Sequence, residues 1–168
     1  MGLFPPGKGG GDDVEYGYKG KGVTNHLLVD GAGMPLSIVT TSAAKSEQAE
    51  VIHLLAQVRV FGRRNGRPRC CVNELQGDKG YDSQDLKNNL RNKGVKPLIA
   101  KRIWPNRKQP AGRKMPKSKD RFKIERCFAW MQRKFRRLCI RWERRRQYWN
   151  GFMLLGIAWM WLTRLLYG

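Results

Sequence analysis

Gly77-Asp78-Lys79-Gly80-Tyr81-Asp82 closes the apolar run that starts at Cys70, and Arg121-Phe122-Lys123-Ile124-Glu125-Arg126 lies far downstream in an otherwise strongly basic stretch. The first motif ends a strand on a carboxylate, and the second sets a carboxylate in a helix. Two magnesium ions held about 4 Å apart need several carboxylate oxygens, supplied by elements distant in sequence and adjacent in the fold. Asp78 and Glu125 are candidates for two such ligands, kept among many cations on a surface suited to nucleic acid.

The segments around these motifs read as alternating strands and helices. Upstream, Val23 to Val29 has strand character, turns at Asp30-Gly31-Ala32-Gly33 and returns as Pro35 to Thr41, a two-stranded hairpin. Val51, Leu54, Leu55 and Val58 are spaced for one buried face of a helix from Ser46 to Val58. After the strand ending at Asp78, Ser83 to Asn92 reads as a helix stopped by Lys93-Gly94. Val95 to Ala100 follows as a strand that Pro97 places at a sheet edge. The basic loop from Ile103 to Ser118 is too long for a simple connector. Two helices, 119–140 and 146–166, complete the chain, and Ile124, Phe128, Met131, Phe135 and Leu138 form a stripe that faces the sheet. At about 100° per residue, Glu125 falls on the border of that stripe, and Lys123, Arg126, Arg133 and Arg137 face phosphates. Residues 1–22, Gly-rich and polar, read as a loop or a truncated start, with the folded domain at 23–168.

The 168 residues suit one domain with a real core. Thirty-four Lys and Arg against thirteen Asp and Glu leave +21, which selects a polyanionic partner, nucleic acid first. The excess is local: residues 101–146 hold nineteen Lys or Arg against Asp120, Glu125 and Glu143. Cys70, Cys71, Cys127 and Cys139 form no CxxC pair, and His26 and His53 stand apart, so a zinc site lacks its spacing and the thiols read as reduced and cytosolic. The apolar stretch 152–167 contains Arg164 and is shorter than a membrane span. It reads as a buried terminal helix, and nothing at the start of the chain reads as a signal peptide.

Taken in order, His26-Leu27-Leu28-Val29-Asp30-Gly31, Asp78-Lys79-Gly80-Tyr81-Asp82, Arg121 four residues before Glu125, and Phe135-Arg136-Arg137-Leu138 leading to Arg141-Trp142-Glu143-Arg144-Arg145 resemble the carboxy-terminal part of the DDE transposases of bacterial insertion sequences. The branch is the one with short, often two-frame genes. The resemblance implies an α/β fold, an RNase-H-like mixed sheet flanked by helices. In such a core three acids hold two Mg2+ ions, with Mn2+ as a substitute, for cleavage and transfer of DNA strands. It also implies Asp78 as the second acid, Glu125 as the third, and Arg121 as part of the helix motif that meets DNA. The partners it implies are transposon-end DNA, a second copy of the chain and an upstream-frame product, with a cytoplasmic, nucleoid-associated location.

Two departures qualify the match. Ser118 and Gln132 stand where many members have a tyrosine and a lysine, and Met1-Gly2-Leu3-Phe4 occupies the place of an Asp-Gly-Ser/Thr block. The first acid and the first strand are therefore expected to be missing, leaving a truncated or second-frame product. Asp30, Asp12 and Asp13 are weak substitutes, since Asp-Gly at a hairpin tip is ordinary turn chemistry. Plain readings stand beside the functional ones. Asp78 can begin a turn, Glu125 can pair with Arg121 or Arg126 by helical spacing, Lys79 can be solvated, and the run 144–146 can be a helix end or a phosphate contact. The tryptophans read as packing residues, except Trp104 in the basic loop, where stacking on bases is open. An inactive DNA-binding fragment that inhibits transposition is the competing function.

Overall fold

A computed structural model describes residues 2–61, 66–102 and 120–168. In chain order it holds β1 (Gly2–Leu3), β2 (Glu15–Gly17), β3 (Gly20–Val29), β4 (Pro35–Ser42), α1 (Glu50–Ala56), β5 (Glu74–Gly77), α2 (Gln84–Asn92), β6 (Lys96–Ile99), α3 (Arg121–Lys134) and α4 (Arg146–Tyr167). The order strand, strand, helix, strand, helix, strand, helix, helix expected from residue 23 onward is present. Two helices are shorter than periodicity suggests: the first is Glu50–Ala56, and α3 stops at Lys134 ahead of a 3-10 turn over Arg136–Leu138.

β3 is the organising strand. It pairs antiparallel with β4 from Val23↔Ser42 to Val29↔Pro35 and, ahead of β4 on the same edge, with β2, while β1 lies along its other edge. The hairpin turn is held by Asp30, whose Oδ1 accepts from Ala32 N and Met34 N, each at 2.8 Å. β5 and β6 form a separate parallel pair, so the strands make two sheets where one mixed sheet was expected. β6 has β5 alone as a partner among the described residues, which suits Pro97.

Consecutive residues of β3 serve opposite faces, as the period of two requires. Leu28 packs with Val51 and Leu55 of α1, Leu75 of β5, Leu86 and Leu90 of α2, and Ile99 of β6. Leu27 packs with Phe128 and Met131 of α3 and Trp149 and Met153 of α4. Helices therefore cover both faces, and the stripe of α3 faces the sheet as its spacing predicts. Asn25, fully buried in β3, is paired: its Oδ1 accepts from Trp149 Nε1 at 3.0 Å and from Thr40 Oγ1 at 2.9 Å. α2 is capped at Ser83, whose hydroxyl accepts from Leu86 N, and it closes where Gly94, at φ +73°, lets Val95 N reach Leu90 O.

Two expectations are corrected. Residues 2–22 do not form an unanchored loop. They supply β1 and β2, Pro5 accepts from Val23 N, Arg141 N donates to Pro6 O, and Asp12 N donates to Arg144 O. Glycine makes this close approach possible, since a Cβ on Gly11 would lie 2.1 Å from Arg144 O. The reading missed it because these backbone contacts leave no side-chain periodicity. The terminal helix is buried only in its first half: Trp149, Met153 and Gly156 are covered, whereas Leu162, Leu165, Leu166 and Tyr167 are exposed. Trp142 and Trp159 are likewise exposed rather than packed. Among the described residues no helix is long and apolar enough to cross a membrane.

Candidate active site

Asp78 follows the last residue of β5 in extended backbone and caps the 3-10 turn over Lys79–Tyr81. Its Oδ1 accepts from Lys79 N at 2.7 Å, which directs the carboxylate out over the end of the strand. Gly77 keeps the strand close to Ile99 of β6, so the carboxylate stands on a packed base. Glu125 lies one turn into α3 beside Ile124, which packs on the Leu27 cluster. The border position read from helical spacing is the one it occupies.

Arg121 joins the two acids. Its Nη1 donates to Asp78 Oδ2 at 3.2 Å and its Nε to Glu125 Oε1 at 2.9 Å. The guanidinium holds its proton more firmly than usual, chiefly through the Glu125 hydrogen bond and then through the charge of Asp78. The plain readings of the two acids, turn cap and i,i+4 ion pair, are therefore both realised, and the same contacts bring the acids to one place.

Beside Asp78 opens a cavity of about 760 Å³ bordered by the end of β3, the length of β5 and the first turn of α3. Asp30 and Asp120 also border it. Asp30 is engaged in its turn, and Asp120 pairs with Lys123 at 2.6 Å. Asp120 was passed over in the sequence; its signal is an acid placed directly before a helix. Asp12 and Asp13 lie elsewhere, Asp12 accepting from Arg146 N at 3.1 Å and Asp13 pairing with Arg146 Nη1 at 3.0 Å.

The five cations assigned to DNA divide by their contacts. Arg121 is taken up by the acids. Lys123 donates to Gly31 O at 2.6 Å, which ties the hairpin turn to α3. Arg137 pairs with the buried carboxylate of Glu143 and lies 4.9 Å from the Phe152 ring centroid. Arg126, over the Phe122 ring, and Arg133 are exposed and have no carboxylate partner among the described residues. Lys79 is exposed as well. Trp104, Ser118 and the basic loop 103–118 lie outside the described residues.

These blocks also align with known proteins. The family described as the transposase DDE domain matches residues 6–161. The chain belongs to the DDE transposase family. A Burkholderia cepacia protein named as a transposase for insertion sequence element IS402 is 32% identical over 146 residues. That alignment covers 85% of this chain and 65% of the relative, so the transposase chain spans about two thirds of the curated protein it matches. No solved structure matches it.

Does the donor set suit a divalent metal? Asp78 and Glu125 offer hard carboxylate oxygens, partly exposed and drawn to one guanidinium, which fits an ion such as Mg2+ that binds through one or two carboxylates and keeps several waters. Among the described residues no group of three His, Cys, Asp or Glu is close enough to hold a metal ion. This transposase domain thus presents two acids and one cation between them.

Proposed function

We propose that this chain is the catalytic part of an insertion-sequence transposase that cleaves and transfers DNA strands with Mg2+, or Mn2+ in its place, through Asp78 and Glu125. The observation that carries this reading is the convergence of those two carboxylates on Arg121, from segments 43 residues apart at Asp78 and Arg121, beside an open cavity. The bound metal would supply activation of the attacking oxygen and stabilisation of the leaving one. The protein's own share is positional. β5 and α3 hold the acids against a packed base, and Arg126 and Arg133, with Lys79, offer free positive charge to phosphates. Arg121 holds the two acids together, and Asp78 and Glu125 are the residues that would hold the metal.

The finer fold reading is an RNase-H-like core in which a first strand, with its aspartate, comes from outside the described residues. Support for it is the division of the strands into two sheets beside Asp78. On this reading the domain takes in β1 and β2 together with residues 23–168, acts on transposon ends in the nucleoid with a second copy of itself and with an upstream-frame product as partners, and is weak or inactive alone. The test is Mg2+- or Mn2+-dependent nicking of DNA carrying the element's ends, by this chain and by the chain extended upstream through an aspartate. Activity confined to the extended form is expected. Activity of neither, with binding retained, would favour an inactive DNA-binding fragment that inhibits transposition; the presence of only two converging acids among the described residues speaks for that second reading.

A further inference from the structure

Tyr16 and Tyr18 stand in water on the hairpin that joins β2 to β3, with the sequence Glu15-Tyr16-Gly17-Tyr18-Lys19-Gly20-Lys21. Tyr16 is 77% exposed and Tyr18 wholly so. The strands pair Tyr16 with Lys21 and Gly17 with Gly20, which leaves Tyr18 and Lys19 at the tip. Gly20, at φ +112°, carries the left-handed part of the reversal, so the two tip residues keep ordinary backbone. A Cβ on Gly17 would lie 2.4 Å from Ala43 O, so glycine seats the base of the hairpin against the residue that follows β4. A firm base thus carries two open rings.

Lysines are interleaved with these rings. Lys8 stands beside the hairpin as well, because Gly7 N donates to Lys21 O at 3.1 Å. Lys8, Lys19 and Lys21 are exposed, and none has a carboxylate partner among the described residues. The acid of the hairpin, Glu15, is occupied by the hydroxyl of Ser42, which donates to it. Lys21 Nζ lies 5.9 Å from the Tyr16 ring centroid, and most of that ring stays open to solvent. Open rings alternating with free cations suit an unpaired nucleic-acid strand, whose bases stack on the rings while its phosphates meet the cations. A duplex hides its base faces and offers the same hairpin phosphates alone.

We propose that the β2–β3 hairpin binds an unpaired DNA strand, with bases stacked on Tyr16 and Tyr18 and phosphates held by Lys8, Lys19 and Lys21. The choice of DNA over RNA rests on the strand-cleavage reading above; the stacking site itself does not. The ten residues of β3 run about 30 Å from this hairpin to the end that borders the cavity beside Asp78. Substitutions in the hairpin therefore leave Asp78, Arg121 and Glu125 untouched.

The experiment titrates the full chain, in EDTA, into labelled oligothymidylate and into a labelled duplex of the same length, and follows anisotropy. Tyr16→Ala and Tyr18→Ala are each expected to weaken binding of the single strand by about tenfold and of the duplex by less than about twofold. Tyr18→Phe keeps the ring and should bind as the unaltered chain does. Lys19→Gln should reduce the salt slope for the single strand by about 0.7. Unchanged single-strand affinity in either alanine variant, an equal loss on the duplex, or a phenylalanine variant as weak as the alanine one would overturn the proposal. Tighter binding of oligouridylate than of oligothymidylate would do so too, since the ligand would then be RNA. No metal and no cleavage enter this readout, so failure here leaves the catalytic reading standing, and absence of nicking leaves the hairpin site standing.

Discussion

Asp78 and Glu125 are held to a single guanidinium: Arg121 lies 3.2 Å from one carboxylate and 2.9 Å from the other. A strand end and a helix thus share one charge-assisted contact at a cavity mouth. All three side chains are partly exposed, so the arrangement contributes little to stability and much to placement.

Arg121→Ala should therefore lower thermal stability by no more than about 1 kcal/mol while raising the affinity of the two carboxylates for Mn2+, since a competing cation is gone. Calorimetric titration of Mn2+ into both proteins checks this. Unchanged or weaker binding in the variant would mean that Arg121 positions the acids for the metal instead of competing with it.

Asp78→Asn and Glu125→Gln should each abolish Mg2+-dependent nicking by any active form and leave DNA affinity nearly intact. Anisotropy titrations at several salt concentrations measure the binding, whose steep salt dependence should be retained. An equal loss of affinity in both variants would count against a metal site.

Arg126→Gln and Arg133→Gln should each weaken DNA binding uniformly across sequences and reduce the salt slope by about 0.9. Arg137→Gln should behave differently. It strips the ion pair from Glu143, whose side chain is 5% exposed, so a loss of folding stability should accompany any change in binding. Comparing melting temperatures of the three variants separates the two classes.

His26 links stability to pH. Burial lowers its pKa below the ordinary 6.5, opposed by the charge of Glu47, and its Nε2 lies 2.8 Å from Thr41 Oγ1. The unfolded chain takes up a proton near pH 6.5 where the folded chain resists it, so this residue makes stability fall as pH drops below about 6.5. His26→Gln should flatten that part of the stability profile in urea titrations between pH 7 and pH 5.

Trp149→Phe removes the donor to Asn25 from a fully buried site while Thr40 continues to donate to the same oxygen. The expected cost is about 1–3 kcal/mol, read from denaturant midpoints at constant slope.

Much of the fold was legible because burial imposes periodicity. The stripe of α3 and the alternation in β3 and β4 repeat at the spacing of their faces, and Ser83 and Gly94 mark the ends of α2 chemically. The contacts of residues 2–22 were hidden since they run through backbone atoms, and the exposed end of α4 was misread because apolar composition does not say what covers a helix. At the site, the two acids were legible as carboxylates kept in a basic chain. The resemblance gave Arg121 as a DNA contact and helical spacing allowed its pair with Glu125, but its reach to Asp78, 43 residues away, has no signal along the chain.

By itself the sequence determined the alternating strands and helices, the positive charge and the two acids, since local spacing and composition carry that information along the chain. Only the tertiary structure decided that Arg121 joins Asp78 to Glu125, that the glycine-rich start is laid against residues 141–146, and that the ends of β3 and β5 border one cavity. Each of those depends on which distant segments meet, and the packing of α3 against β3, with β5 set across the cavity, decides that.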